Sequence, residues 1–134
     1  MELQIPTFIT KDFLLENPNC IFIFGDNNKR MGLGGAAKLR YEPNTYGFIT
    51  KKAPSFNILD YYDIEEYRPV FNIELNNLDK YINNNLDKIF LISRLGAGLA
   101  NLHKIYENVI RPGLLKWNKR DNSNIKFLWN IERE

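Results

Sequence analysis

The sequence predicts an α/β fold with three layers, in which helices cover both faces of a mostly parallel central sheet. Short apolar runs of strand length recur along the chain, and segments with helical spacing separate them. Strands that alternate with helices form parallel sheets, because each crossover returns the chain to the same end of the sheet. The 134 residues have the length of one domain. We therefore expect a single domain over residues 1–134.

The first predicted elements are a short helix and a buried strand. Thr10 is a suitable cap for a helix that starts at Lys11, and Pro18 stops that helix. The run CIFIF at 20–24 is apolar throughout and lies between polar turn residues. Such a run is typical of a central strand buried on both faces.

A glycine cluster and a second strand come next. Glycines concentrate at 32–35, and the following segment 36–41 favours a helix that ends before Pro43. The run YGFIT at 46–50 predicts a second strand, which delivers lysines to its carboxyl end.

The longest predicted helix follows an aromatic and polar loop. Asp63 and Glu66 form a start that resembles a capping box, and Pro69 is expected in the first turn. The apolar side chains of this helix fall on one face, which we expect to be core. These residues are Phe71, Leu75, Leu78 and Ile82.

The remaining elements are two strands with a helix between them. The run IFLIS predicts a strand at 89–93. A helix is expected over 103–110, with an interruption at 112–113 and a continuation through Trp117. The segment 125–131 predicts a closing strand.

The composition excludes several classes of function. The net charge is only +2, whereas nucleic-acid-binding proteins usually carry a concentrated basic surface. Cys20 is the only cysteine and His103 the only histidine, so we expect no metal site and no Ser-His-Asp triad. A lone cysteine fits a reducing compartment, and no segment is apolar for long enough to span a membrane. We therefore expect a cytoplasmic protein without a cofactor.

Three segments follow the carboxyl ends of predicted strands, where open α/β sheets bind their ligands. They are the glycine-containing loop 25–35, the pair Lys51 and Lys52, and the glycine-containing loop 94–99. Backbone N–H groups in such loops bind anions without cationic side chains. The sequence contains no G-x-x-x-x-G-K-[ST] motif and lacks the usual dinucleotide-binding glycine spacing. Together the loops predict a site that grips a diphosphate from both sides.

Four segments in chain order carry a family resemblance. They are TFITKDF at 7–13, FGDNNKRMGLGGAA at 24–37, FITKK at 48–52 and SRLGAGLANL at 93–102. The chain resembles the macrodomain family, specifically the branch with terminal ADP-ribose protein glycohydrolase and related bacterial and phage proteins. The resemblance implies a macrodomain-like fold with a cleft for ADP-ribose.

The resemblance also implies positions for ligand contacts. Asp12 matches the acid that such proteins direct at the adenine amine; the alternative is a first-turn acid stabilised by the helix dipole. Arg94 precedes the second phosphate loop as it does in the family, and it either approaches phosphate or forms a structural salt bridge. The other candidates for ligand binding are Gly25, Asp26, Asn27, Gly32, Gly34, Gly35, Ala36, Lys51, Gly96, Ala97, Gly98 and Leu99.

Lys51 and Asp26 are the candidate catalytic residues. In the glycohydrolase the lysine that matches Lys51 attacks the anomeric carbon, assisted by an aspartate at the position of Ala100 in this chain. An amine acts as a nucleophile at neutral pH only with a lowered pKa or a nearby base, and Ala100 supplies neither. Lys51 could instead contact phosphate or ribose. Asp26, with Asn27, could position a water or bind the distal ribose, although both are also good turn formers.

The predicted function is binding of ADP-ribose or an ADP-ribose-derived nucleotide, as a reader or a sequestering module. One alternative is a hydrolase that removes ADP-ribose from a protein or nucleic acid, or phosphate from an ADP-ribose phosphate. A second alternative is an RNA-binding module that uses the same cleft, which the mild charge disfavours. The expected partners are the nucleotide and an ADP-ribosylated macromolecule, without a membrane.

Overall fold

A computed structural model describes residues 3–117 and 124–134, which form a four-stranded sheet with every strand pair parallel. The strands are β1 (Cys20–Asn27), β2 (Thr45–Lys51), β3 (Ile89–Ile92) and β4 (Ile125–Phe127). Their order across the sheet is β2-β1-β3-β4, so β1 and β3 are neighbours. This arrangement confirms the predicted α/β class and the parallel sheet.

Within the described residues, three α-helices accompany the sheet, and the predicted starts of the first two are confirmed. They are α1 (Lys11–Glu16), α2 (Ile64–Asn83) and α3 (Arg111–Lys116). The Thr10 side chain accepts a hydrogen bond from the Phe13 N–H at 3.1 Å, which caps α1. The capping box of α2 is complete, since Asp63 and Glu66 each accept the backbone N–H of the other. Within the described residues, no helix combines the length and the apolar character needed to cross a membrane.

Both faces of the sheet are covered by apolar side chains, as expected for a three-layer arrangement. Successive side chains of a strand point to opposite faces. Ile21 and Ile23 of β1 pack with residues of α2 and α3 on one face. Cys20 and Phe22 pack on the other face with Leu14 of α1. The apolar stripe predicted for α2 faces the first of these cores.

The prediction of a helix over 36–41 is wrong. The chain forms a 3-10 helix over Gly35–Ala37 and continues in turns closed by i→i+3 hydrogen bonds, such as Arg40 N–H to the Ala37 carbonyl at 3.1 Å. The segment is too short to repay the nucleation of an α-helix, and Pro43 ends it. Residues 36–41 therefore lie as a tight connection into β2.

Proline also behaves differently from the sequence prediction in two places. Pro69 lies in the second turn of α2 and not in the first. The predicted interruption at 112–113 is absent, because a π-helical segment over Tyr106–Ile110 leads directly into α3. Pro112 occupies the second position of α3, and the wide turn before it suits a residue without an N–H.

The closing strand is shorter than predicted. β4 pairs with β3, and its ladder ends where Leu128 N–H donates to the Ile92 carbonyl at 3.0 Å. Because β3 itself ends at Ile92, the segment after Phe127 has no strand to pair with in this part of the sheet. The chain turns there and forms a 3-10 helix over Ile131–Arg133.

Candidate functional site

A cavity of about 410 Å³ lies at the carboxyl ends of β1, β2 and β3. In the sheet, β2 lies on one side of β1 and β3 lies on the other. The chain therefore changes direction across the sheet at β1, and α/β sheets bind ligands at such a switch point. We call this cavity the cleft. Most of the predicted ligand-binding residues line it, namely Gly25, Asp26, Asn27, Gly32, Gly34, Gly35, Ala36, Lys51, Arg94, Gly96, Gly98 and Leu99.

Two of the predicted ligand-binding residues lie elsewhere. Asp12 is exposed in the first turn of α1 and does not line the cleft. This location favours its alternative role as an acid near the positive end of the helix dipole. Ala97 is half-buried and packs against the apolar core beneath the cleft.

Arg40 organises the glycine-containing loop 25–35, which we call the first loop. Its guanidinium donates two hydrogen bonds to the Asp26 carboxylate, at 2.6 and 2.9 Å. It also donates to the Gly32 carbonyl at 2.9 Å and to the Met31 carbonyl at 3.1 Å. The arginine fork therefore joins the end of β1 to the glycines that border the cleft.

The side chains of Asp26 and Asn27 are engaged inside the protein. The Asp26 side chain is only 2% exposed and also accepts a hydrogen bond from the Asn27 N–H at 2.7 Å. The Asn27 amide donates to the Met31 carbonyl at 2.8 Å and accepts from the Lys29 N–H at 3.1 Å. These contacts favour the turn-forming role of both residues over a direct contact with ribose.

The two glycine-containing loops approach each other across the cleft. We call residues 93–100 the second loop. Gly35 has a φ of +55°, and a Cβ atom at this position would lie 3.1 Å from Leu99 Cδ1 of the second loop. Because most L-residues disfavour this backbone region, glycine suits both the conformation and the close approach.

Gly96 and Gly98 of the second loop have different surroundings. Gly96 has a φ of +74°, and a Cβ atom there would lie 2.4 Å from Ile110 Cδ1. A Cβ atom at Gly98 would meet no atom within 4 Å. Gly96 thus fits the loop onto the core, whereas Gly98 leaves space in the cleft.

Residues of both loops that line the cleft have backbone N–H groups without a protein acceptor. Among the described residues, the N–H groups of Gly32 and Gly34 donate to no protein acceptor, and the same is true of Gly98 and Leu99. Peptide N–H groups need a partner, so these four are available to water or to an anionic ligand.

Lys51 lies buried at the end of β2 beneath an aromatic cover. Its Nζ donates to the Ser55 carbonyl at 2.8 Å and lies 4.5 Å from the centre of the Tyr61 ring and 5.3 Å from that of Phe56. Burial lowers the pKa of the Lys51 amine, and the charge of Asp60 partly opposes this shift. A lowered pKa increases the neutral, nucleophilic fraction of an amine.

Arg94 forms the structural salt bridge that the sequence left as an alternative. Its guanidinium donates to Glu134 Oε2 at 3.0 Å and lies 4.8 Å from the centre of the Tyr106 ring. Hydrogen bonding to Glu134 raises the pKa of Arg94. Arg94 also lines the cleft, and its side chain is 52% exposed.

Ala100 lies buried in the wall of the cleft. Among the described residues that line the cleft, Asp26 is the only acid, and Arg40 holds its carboxylate. The described residues contain no cluster of side chains that could hold a metal ion.

A second cavity of about 230 Å³ adjoins the cleft and shares Gly35, Ala36, Ser93 and Arg94 with it. Its other walls come from the segment before α1, from β1, from the connection into β2 and from the segment after β4. They consist of Thr7, Phe8, Ile9, Phe22, Lys38, Leu39, Leu128 and Trp129.

Sequence reasoning missed the second cavity and the loop-forming role of Arg40. Arg40 belongs to no glycine cluster or charged motif. Phe8 and Trp129 are far apart in the sequence and come together only through the sheet.

A protein-family model described as "Family of unknown function (DUF7831)" matches residues 4–108. This range covers β1, β2, β3 and both loops. No curated protein matches the chain, and no solved structure does.

Proposed function

The chain belongs to DUF7831, a family of unknown function, and we propose that it binds ADP-ribose or an ADP-ribose-derived nucleotide in the cleft. The observation that carries this proposal is the set of backbone donors on both sides of the cleft, at Gly32 and Gly34 and at Gly98 and Leu99. Donors in opposed loops suit a diphosphate, whose oxygens point to both sides.

Gly34 and Gly98 support the proposal because they leave room for phosphate. A Cβ atom at either position would meet no protein atom within 4 Å, so neither glycine is required by packing. A ligand that approaches the backbone closely accounts for a small residue at both places. The resemblance of both loops to those of macrodomains points to the same ligand and to a macrodomain-like fold.

The second cavity supports a nucleotide over a simple phosphate. It opens beside the same two loops and has aromatic and aliphatic walls. A nucleotide sugar needs such a pair of sites, with polar donors for the diphosphate and an apolar slot for the base. We assign the base to the second cavity, and the distal ribose to the end of the cleft near Lys51.

Calorimetry with ADP-ribose, AMP and short RNA tests this proposal. Gly98→Glu should weaken ADP-ribose binding by about tenfold or more, because its carboxylate would occupy the space of the phosphate and repel it. Gly98→Ala is the matched variant without the charge, and it should weaken binding less than Gly98→Glu does. If the folded protein binds no ADP-ribose at millimolar concentration, the proposal is wrong. Binding of RNA alone would support the RNA-binding alternative.

A hydrolase is the second candidate, and the burial of Lys51 is the observation that favours it. Burial lowers the pKa of this amine, which raises the neutral fraction that can attack the anomeric carbon and displace the group bound there. The Ser55 carbonyl and the rings of Phe56 and Tyr61 hold the amine, so attack requires the loop that carries them to shift.

Incubation with ADP-ribosylated protein, ADP-ribosylated nucleic acid and ADP-ribose phosphate tests the hydrolase. Release of ADP-ribose should rise with pH until the Lys51 amine is neutral, since only the neutral amine attacks. Lys51→Ala and Lys51→Arg should both abolish release, and the arginine variant should keep ADP-ribose affinity. Full activity in Lys51→Arg would exclude covalent catalysis by this amine.

A further inference from the structure

We infer that the second cavity recognises the base of the nucleotide by shape and apolar contact, without reading the 6-amino group of adenine. Nucleotides with adenine and with hypoxanthine are then equivalent ligands. This inference rests on the proposed function and concerns its substrate range. It differs from the sequence expectation that Asp12 contacts the adenine amine.

The walls of the second cavity provide a surface on which a flat ring can stack. Phe8 is 70% exposed at this cavity, and Phe22, Leu128 and Trp129 complete its apolar walls. Stacking on aromatic side chains tolerates any base, because every base has a π-face.

The polar side chains of this cavity are mainly donors. Lys38 contributes an ammonium group that lies 5.4 Å from the centre of the Phe8 ring. Arg94 contributes a guanidinium. The Ser93 hydroxyl donates to the Ile23 carbonyl at 2.7 Å and can still accept a hydrogen bond, whereas the Thr7 hydroxyl can donate or accept.

Among the described residues that line the second cavity, none carries a carboxylate or a side-chain amide. Asp12 does not line it and is exposed on α1. An amine on the base therefore meets no acidic side chain. The Lys38 and Arg94 donors can bond the unprotonated N1 of adenine and the 6-carbonyl of hypoxanthine alike.

This lining predicts weak discrimination between the two purines. A site built to hydrogen-bond a substrate group rejects an analogue that lacks the group by roughly 10⁴-fold, because buried partners are left unpaired. Without such a partner, exchange of the amine for a carbonyl leaves no acidic or amide side chain of the lining unpaired. The affinities should then differ by about threefold or less.

Competition calorimetry with ADP-ribose and inosine diphosphate ribose tests the inference. We expect the two dissociation constants to agree within about threefold, and Asp12→Asn to change neither. A preference for ADP-ribose of more than about tenfold would overturn the inference while the proposed function stands. If Asp12→Asn weakens ADP-ribose alone, Asp12 reads the amine and the inference is again wrong. If neither nucleotide binds, the proposed function itself fails.

Phe8→Ala tests whether the base occupies the second cavity at all. We expect it to weaken both nucleotides equally, by about fivefold to 150-fold, which is the factor that corresponds to about 1–3 kcal/mol of stacking per base. Tyr41→Ala is the matched control, since Tyr41 is 73% exposed and lines neither cavity. Undiminished affinity in Phe8→Ala would place the base elsewhere and overturn the inference.

Discussion

The first and second loops have similar glycine-rich sequences, but different interactions hold them in place. The first loop is tied by polar side chains, because the Arg40 guanidinium bonds both the Asp26 carboxylate and the Gly32 carbonyl. The second loop is held by close packing against the core, because Gly96 lies directly against Ile110. Its ion pair with Glu134, formed by Arg94, is on the surface.

The two loops therefore border one cleft although different interactions hold them in place. The first loop depends on the buried carboxylate of Asp26, which is paired with Arg40. The second loop depends on the lack of a side chain at Gly96, which allows close packing against Ile110. Changes of charge should therefore damage the first loop most, and changes of volume should damage the second.

Arg40→Ala should have the largest effect on stability. The variant leaves the Asp26 carboxylate, whose side chain is 2% exposed, without its main partner. Removing one member of a buried pair costs about 3–5 kcal/mol. Arg30 lies 3.4 Å from the same carboxylate, so we expect the lower end of this range. The free energy of unfolding from urea titration measures the effect.

The control for this prediction is the double variant Asp26→Asn with Arg40→Ala. It removes the buried charge together with its partner, so it should recover part of the lost stability. A double variant that is less stable than Arg40→Ala would show that the ion pair is not the main interaction of the first loop.

Gly96→Ala should have the second largest effect. The added methyl group would lie 2.4 Å from Ile110 Cδ1, and the φ of +74° disfavours an L-residue. Strain and overpacking together should cost about 2–3 kcal/mol of unfolding free energy. Gly98→Ala is the matched control in the same loop, and its added methyl group meets no atom. Equal losses in the two variants would mean that fit to the core does not hold the second loop.

The sheet and the cleft could be predicted from sequence because their signals are local. The apolar runs of β1 and β3 and the caps of α1 and α2 are each contained within a few residues. Parallel strands bring their carboxyl ends to one edge, so the loops that follow β1 and β3 had to meet.

The rest depends on contacts between residues far apart in the chain. Arg40 lies 14 positions from Asp26, and no local pattern distinguishes it from a solvated helix residue. Phe8 and Trp129 form one cavity only because β4 lies beside β3.

The smallest expected effect on stability is that of Arg94→Ala. Its ion pair with Glu134 has the same chemistry as the pair of Arg40, but the Arg94 side chain is 52% exposed. Water and salt screen such a pair, so its loss should cost about 1 kcal/mol or less of unfolding free energy, and less again at high salt. Glu134→Gln should lower the stability by a similar amount. A loss as large as that in Arg40→Ala would contradict the contrast between the loops. If Arg94→Ala instead weakens ADP-ribose binding while stability is kept, Arg94 contacts the ligand, because a purely structural arginine would change stability first.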